Sequence, residues 1–119
     1  MEVFSDNLDL LARMMTVSTR RHEVISANLA NANTPNYTAK RLDFETAFRE
    51  AFASNGKDAA MKVDYELVDS NADAGADGNN VSLETEFSTM QKNRLMFDVY
   101  AQMLKHKLGH LKHAIGGTR

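Results

Sequence analysis

The chain has 119 residues, of which 43% are hydrophobic and 25% charged, with a formal net charge of −2 and no cysteine. This length and composition fit one small folded domain rather than a disordered polymer. The lack of cysteine excludes disulfides and thiolate metal sites, and the mild acidity argues against general binding to polyanions.

The first segment predicts a long amphipathic helix over about residues 7–31. Its apolar side chains recur at alternating spacings of four and three, the heptad period of helices that pack as coiled coils. Ser18 and His22 occupy two positions of this seam and weaken its middle. The predicted seam residues of this helix are Leu8, Leu11, Met15, Ile25 and Leu29.

Charged residues interrupt the beginning of this segment at Glu2, Asp6, Asp9 and Arg13. A secretory signal peptide needs an unbroken apolar core of about 7–15 residues. We therefore expect no cleaved signal peptide. No run approaches the ~18 apolar residues that a membrane-spanning helix needs.

An asparagine-rich stretch, "ANLANANTPNYTAKRLDF" at residues 27–44, follows the helix. Asparagine tolerates left-handed backbone angles and bonds to nearby backbone groups, so Asn31 and Asn33 can end a helix. Thr34 precedes the only proline and is pushed to an extended conformation, after which Pro35-Asn36 predicts a turn. As a candidate subunit-contact motif we single out Asn28, Asn31, Asn33, Thr34, Pro35 and Tyr37.

The middle of the chain has weaker patterns. Helical spacing of phenylalanine and alanine allows a short helix at 44–53, and the alternation in "MKVDYELV" (61–68) is typical of a half-buried strand. The stretch "DSNADAGADGNN" (69–80) predicts an exposed, mobile loop. Its acidic residues do not match the ligand offsets of a calcium-binding loop.

The last segment has the clearest helical pattern, over residues 82–115, with Ser82 as a plausible N-cap and Gly116 after its end. Its heptad seam comprises Leu83, Phe87, Met90, Phe97, Leu104, Leu108, Leu111 and Ile115. We therefore predict a mainly α fold. The long terminal helices form an antiparallel, coiled-coil-like pair around a short irregular, β-containing middle at 32–81, and residues 1–119 form a single domain.

Chemistry-bearing clusters are scarce. His106, His110 and His113 share one helix face, but their charged neighbours are lysines, so we expect no metal site there. The basic end of the chain lacks the interleaved aromatics of a nucleic-acid site. Without a nucleophile beside a base, we predict neither an enzyme, a cofactor nor a small-molecule substrate.

Two motifs resemble the axial proteins of the bacterial flagellum, and within them the proximal rod proteins of the basal body. One is "ANLANANTPNYTAKRLDFE", in which Asn36 and Thr38 stand where the family usually has glycine and lysine; asparagine can adopt the positive φ of that glycine. The other is "DGNNVSLETEFSTM", with Phe87 in place of methionine. The resemblance covers about residues 1–50 and 76–115.

The resemblance implies a structural subunit whose terminal helices form a coiled coil in the inner layer of the rod. It implies a location in the periplasm-spanning rod, torque transmission, and export through the flagellar type III apparatus without a cleaved signal. The implied partners are copies of itself, other rod proteins, the basal-body adaptor and the ring or export-gate components. Two alternatives stay open: a soluble helical adaptor or export chaperone, and a small metal-dependent enzyme using the histidine row.

Overall fold

The computed structural model describes residues 2–116, with side chains from residue 7 onward. The chain forms α1 (Glu2–Ala30), β1 (Lys40–Asp43), α2 (Glu45–Met61), β2 (Glu66–Asp69) and α3 (Leu83–Gly116). The predicted mainly α fold with a β-containing middle is confirmed. No helix in this described part is long and apolar enough to cross a membrane.

The two terminal helices pack side by side in opposite directions. Asn79, just before α3, donates to the carbonyl of Asn31 at the end of α1, and Asn93 farther along α3 meets Ser18 farther back on α1. The antiparallel pairing is therefore confirmed, and the helix ends lie close to those predicted, except that α1 already begins at Glu2.

The molecule is elongated. Its extents are 66 × 34 × 15 Å and its radius of gyration is 18.3 Å, whereas a compact chain of this length has about 13–14 Å. Its accessible surface is 8385 Å², against about 6,500 Å² for a compact monomer of this mass. The chain therefore keeps much more surface in water than a typical globular domain.

The middle segment folds onto α1. It forms a two-stranded antiparallel sheet of β1 and β2, and α2 connects the two strands in the chain. β1 pairs with β2 in a register that places Leu42 opposite Leu67. The strand predicted at 61–68 is shifted toward the C-terminus, because Met61 still belongs to α2. The helix expected at 44–53 forms and continues across a break at Gly56, whose φ of 81° is a left-handed conformation that glycine adopts without strain.

The hydrophobic core is small and lies under this middle segment rather than along the helix pair. Val17 of α1, Leu42 and Phe44 are its buried centre, and Phe48 packs against them. The guanidinium of Arg13 covers the Phe44 ring at 5.5 Å and donates to the carbonyl of Val63 at 2.7 Å. These contacts hold the start of α2 against the middle of α1.

The heptad seam is buried unevenly. On α1, Leu11 and Ile25 are buried and Leu8, Met15 and Leu29 are half-buried. Along α3 the half-buried seam residues are Met90, Phe97, Leu104 and Leu111, and the exposed ones are Leu83, Phe87, Leu108 and Ile115. A single partner helix can cover only one side of α3, so burial of the exposed four stays a prediction for an assembled state.

Candidate functional site: an asparagine clasp

Three buried asparagines hold the end of α1, the start of β1 and the segment before α3 together. We call Asn28, Asn79 and Asn80 the asparagine clasp. An asparagine side chain carries both a donor and an acceptor, so it can replace a missing backbone partner on either side. Each of the three bonds to a different stretch of backbone.

Asn28 joins α1 to β1. Its side chain is 1% exposed; its Nδ2 donates to the Lys40 carbonyl at 2.7 Å, and its Oδ1 accepts from the Lys40 N–H at 3.0 Å. The same Oδ1 accepts the Tyr37 hydroxyl proton at 3.0 Å. One amide thus satisfies both backbone groups of Lys40, as a neighbouring strand would.

Asn79 and Asn80 join the segment before α3 to the end of α1 and to the residue before β1. Asn79 donates to the carbonyls of Asn31 and Thr34, both at 2.8 Å, and so adds a second donor to two carbonyls that already accept the backbone N–H groups of Thr34 and Tyr37. Asn80 accepts the Ala39 N–H at 2.6 Å and donates to carbonyls in the preceding loop.

Backbone contacts close the clasp. The Asn36 N–H donates to the Asp77 carbonyl at 2.9 Å, and the Asn80 N–H donates to the Tyr37 carbonyl at 3.2 Å. Gly78 has a φ of 81°, and a Cβ on it would overlap the Asn36 side chain. The two sequence motifs, about 40 residues apart, therefore form one structural unit.

The turn at Asn36 is the one that the sequence predicts. Asn36 has a φ of 62°, which confirms that asparagine adopts the left-handed conformation in place of glycine. Asn31 donates to the Ala27 carbonyl and accepts from the Thr34 hydroxyl, as expected of a helix stop. Asn33, Thr34 and Pro35 are exposed at the tip of the turn, so their predicted role as a subunit contact stays a prediction.

Asn79 and Asn80 are the residues that the sequence-based expectation missed. We expected the whole loop at 69–80 to be exposed; this is wrong for its last two residues, which are 8% and 9% exposed. Residues 71–77 are exposed as expected. The signal was available in the paired asparagines of "DGNNV", because polar residues next to a helix start often bond to backbone.

A second buried polar contact lies in the middle of the helix pair. The Ser18 hydroxyl donates to Asn93 Oδ1 at 3.0 Å, and Asn93 Nδ2 donates to the Ser18 carbonyl at 2.8 Å. Both residues are buried, and Asn93 is the only buried residue among those described in α3. A buried polar pair in a helix interface fixes the register, because any slip leaves polar groups unpaired.

Ion pairs tie the middle segment to α1. Arg21 contacts Glu45 at the start of α2 at 2.6 Å, and Arg13 contacts Asp64 at 3.3 Å. Arg20 donates to the Tyr65 hydroxyl at 2.8 Å, and this contact raises the pKa of Arg20. The acidic partners Glu45 and Asp64 are exposed, so solvent screens these ion pairs and they orient the segment more than they stabilise it.

The histidine row lies on an exposed face of α3. The rings of His106 and His110 lie in contact, with centroids 4.5 Å apart and planes tilted by 51°, and His113 is exposed one turn further along. Among the described residues, no group of three or more histidine or acidic side chains is placed to hold a metal ion.

Comparison with known proteins gives relatives across nearly the whole chain. The family model described as "Flagella basal body rod protein" matches residues 15–38, which include Ser18, Asn28 and the turn at Asn36. The flagellar basal body rod protein FlgB of Aquifex aeolicus is 30% identical, over 92% of this chain and 93% of that protein. The chain belongs to the FlgB family of flagellar basal body rod proteins.

Two further members of the FlgB family agree with this assignment. The Bacillus subtilis protein is 26% identical over the full length of both chains. The Aeromonas hydrophila protein is 29% identical, over 88% of this chain and 89% of its own length. The predicted resemblance is confirmed, and the FlgB family is structural rather than enzymatic.

Proposed function

We propose that this chain is a structural subunit of the proximal rod of the flagellar basal body, that it assembles through α1 and α3, and that it transmits torque. Residues 1–119 act as one unit in this role. The observation that supports this proposal most strongly is the exposure of apolar side chains along α3. Among its described residues, eight large apolar side chains are exposed: Leu83, Phe87, Leu95, Met96, Val99, Met103, Leu108 and Ile115.

The amount of exposed surface supports an assembling subunit. The excess over a compact monomer is roughly 1,900 Å² on one chain, about twice the ~800 Å² that each partner buries in a stable protein–protein contact of standard size. Apolar side chains arranged along a 34-residue helix are typical of a helix that packs against further helices.

The asparagine clasp supports a role in carrying force. It joins the helix pair to β1 and the loop before α3 through directional hydrogen bonds. A rotation of the middle segment, residues 32–81, against α1 and α3 would break several of these bonds together. In our proposal the clasp transmits torque between the middle segment and the pair of terminal helices. The exposed Asn33, Thr34 and Pro35 contact a neighbouring subunit.

The proposed surroundings follow from membership of a rod protein family. The partners are further copies of this chain, other rod proteins, the basal-body adaptor, and ring or export-gate components. The proposed location is the periplasm-spanning rod, reached through the flagellar type III apparatus without a cleaved signal peptide.

Deletion and purification in one strain test this function. Cells that lack the chain should be non-motile and should have no rod on purified basal bodies, and re-expression of the chain should restore both. An epitope-labelled copy should co-purify with rods in a fixed ratio. If the label stayed with unassembled rod proteins inside the cell while rods formed without it, the chain would be an export chaperone or adaptor.

A further inference from the structure

An open groove lies between α2 and α3, with α1 as its floor. Two adjoining cavities of about 360 and 410 Å³ share Met14, Phe44 and Glu45. Met96 and Tyr100 line the α3 side, and burial there raises the pKa of Tyr100. The α2 side is a ladder of Phe44, Phe48 and Phe52, with ring centroids 5.3 and 6.2 Å apart along it.

The groove carries positive charge on both sides. Lys92 of α3 and Arg49 of α2 are exposed at its two walls. The floor cation Arg21 is already neutralised by Glu45 at 2.6 Å. Neither Lys92 nor Arg49 has an ion pair within the described chain. The occupant that fits is an apolar ridge flanked by two carboxylates.

The chain itself has such a ridge at the start of α3. Leu83 and Phe87 are one turn apart and about half exposed. At 100° per residue, Glu84 and Glu86 lie on either side of this pair; Glu84 is exposed, and Glu86 is half-buried on the side of α3 that carries Asn93. Their carboxylates have no ion pair within the described chain either. The ridge therefore matches the groove in apolar surface and is opposite to it in the sign of its charge.

The ridge cannot fill the groove of its own chain. The groove-lining residues Lys92 and Met96 lie on roughly the opposite side of α3 from Leu83 and Phe87, as the helical rotation of 100° per residue requires. A contact between two different surfaces of identical subunits is heterologous, and it extends as an open helical array unless its rotation happens to close a ring.

We propose that the Leu83–Phe87 ridge of one copy docks into the α2–α3 groove of a second copy, with Glu84 and Glu86 facing Lys92 and Arg49. This inference rests on the proposed function and specifies its self-association. Because groove and ridge both remain free on the end subunits, each added copy offers a new site.

Cysteine cross-linking in intact cells tests the contact, since the chain has no cysteine of its own. A Phe52→Cys, Phe87→Cys double variant treated with a short thiol cross-linker should give a ladder of covalent oligomers. The matched control is Phe52→Cys with Leu67→Cys, because Leu67 is 52% exposed and Phe87 53%. A control ladder as strong as the test ladder, or cross-links only to other proteins, would overturn the contact.

Charge reversal adds a rescue test. Arg49→Glu with Lys92→Glu, or Glu84→Lys with Glu86→Lys, should each lower the yield of oligomers about ten-fold or more, because like charges then meet across the interface. The fourfold variant with both reversals should recover it. Failure of the fourfold variant to recover, with each pair alone causing loss, would count against direct facing of these charges.

The same strains separate this inference from the proposed function. If the charge-reversed chains still enter basal bodies and support swimming, the chain is a rod subunit that associates through another surface. If the unmodified chain is absent from basal bodies, the proposed function itself is wrong.

Discussion

The asparagine clasp and the apolar faces of α3 differ in whether their side chains find partners within the chain. In the clasp, buried amides and backbone groups are paired within one chain, as at Asn28 and Asn79. Along α3, by contrast, large apolar side chains such as Leu95 and Ile115 stay in water. The comparison teaches that this sequence pairs the polar groups of the clasp within one chain, whereas it leaves the large apolar side chains on one side of α3 uncovered.

A charge on α3 should have the largest effect on assembly and a small effect on the stability of the monomer. Leu108→Asp places a carboxylate at a seam position that is about half exposed in the single chain. Monomer stability should fall by only about 1 kcal/mol, because about half of the Leu108 side chain is already in water. In an assembled rod the charge would be buried unpaired, so we expect loss of rods and motility. Basal-body purification beside urea unfolding of the monomer measures both.

A motile Leu108→Asp strain would contradict this prediction, because it would show that this position stays in water after assembly. The matched control is Lys105→Asp on the same helix, an exposed polar position, which should leave rods intact.

Truncation of the clasp should destabilise the monomer itself. Asn28→Ala leaves the Lys40 N–H, the Lys40 carbonyl and the Tyr37 hydroxyl without their buried partner. We expect a loss of about 2–4 kcal/mol in the free energy of unfolding. Urea unfolding measures it, with Asn33→Ala as the control at an exposed asparagine. Equal stability of the two variants would mean that water replaces the amide at no cost.

A glycine in the clasp should show a smaller effect. Gly78→Ala forces a Cβ onto a residue with φ 81° and brings it within 3.3 Å of Asn36 Cα. We expect a loss of about 1–2 kcal/mol. Gly75→Ala is the matched control, because its Cβ would meet only ordinary contacts, at 3.5 Å and beyond. Thermal unfolding of the two variants should separate them by several degrees.

The smallest effect should come from Asn36→Gly. Glycine relieves the left-handed conformation of Asn36 but increases the freedom of the unfolded chain, so stability should change by less than about 0.5 kcal/mol. In the Gly78→Ala background it should recover part of the loss, because the overlapping side chain is removed. Strict additivity of the two changes would mean that backbone strain alone causes the Gly78→Ala effect.

The sequence predicted the fold where its signals were local. The local patterns predicted the end of α1 and both ends of α3 to within one residue, because helix periodicity and capping depend on neighbours in the chain, whereas α1 begins at Glu2, about five residues before its predicted start. The strand was displaced from 61–68 to Glu66–Asp69. Its position depends on pairing with β1, and such pairing has no local signature.

The clasp could be predicted only in part. Asn31 and Asn36 act through nearby backbone and were identified as a helix stop and a turn. Asn79 and Asn80 act on residues more than 40 positions away, so composition alone assigned them to an exposed loop. Ser18 was interpreted as a weak point in a seam, since its partner Asn93 is visible only after the helices pair.

The sequence separation of these polar contacts also governs when the chain can fold. Asn79 bonds to a residue 48 positions earlier, and Asn93 to one 75 positions earlier. Contacts between distant residues require closure of long loops and form late in folding. A chain threaded N-terminus first through a narrow conduit cannot make the Ser18–Asn93 contact until residue 93 has emerged. The Ser18–Asn93 contact can therefore form only after most of the polypeptide is available.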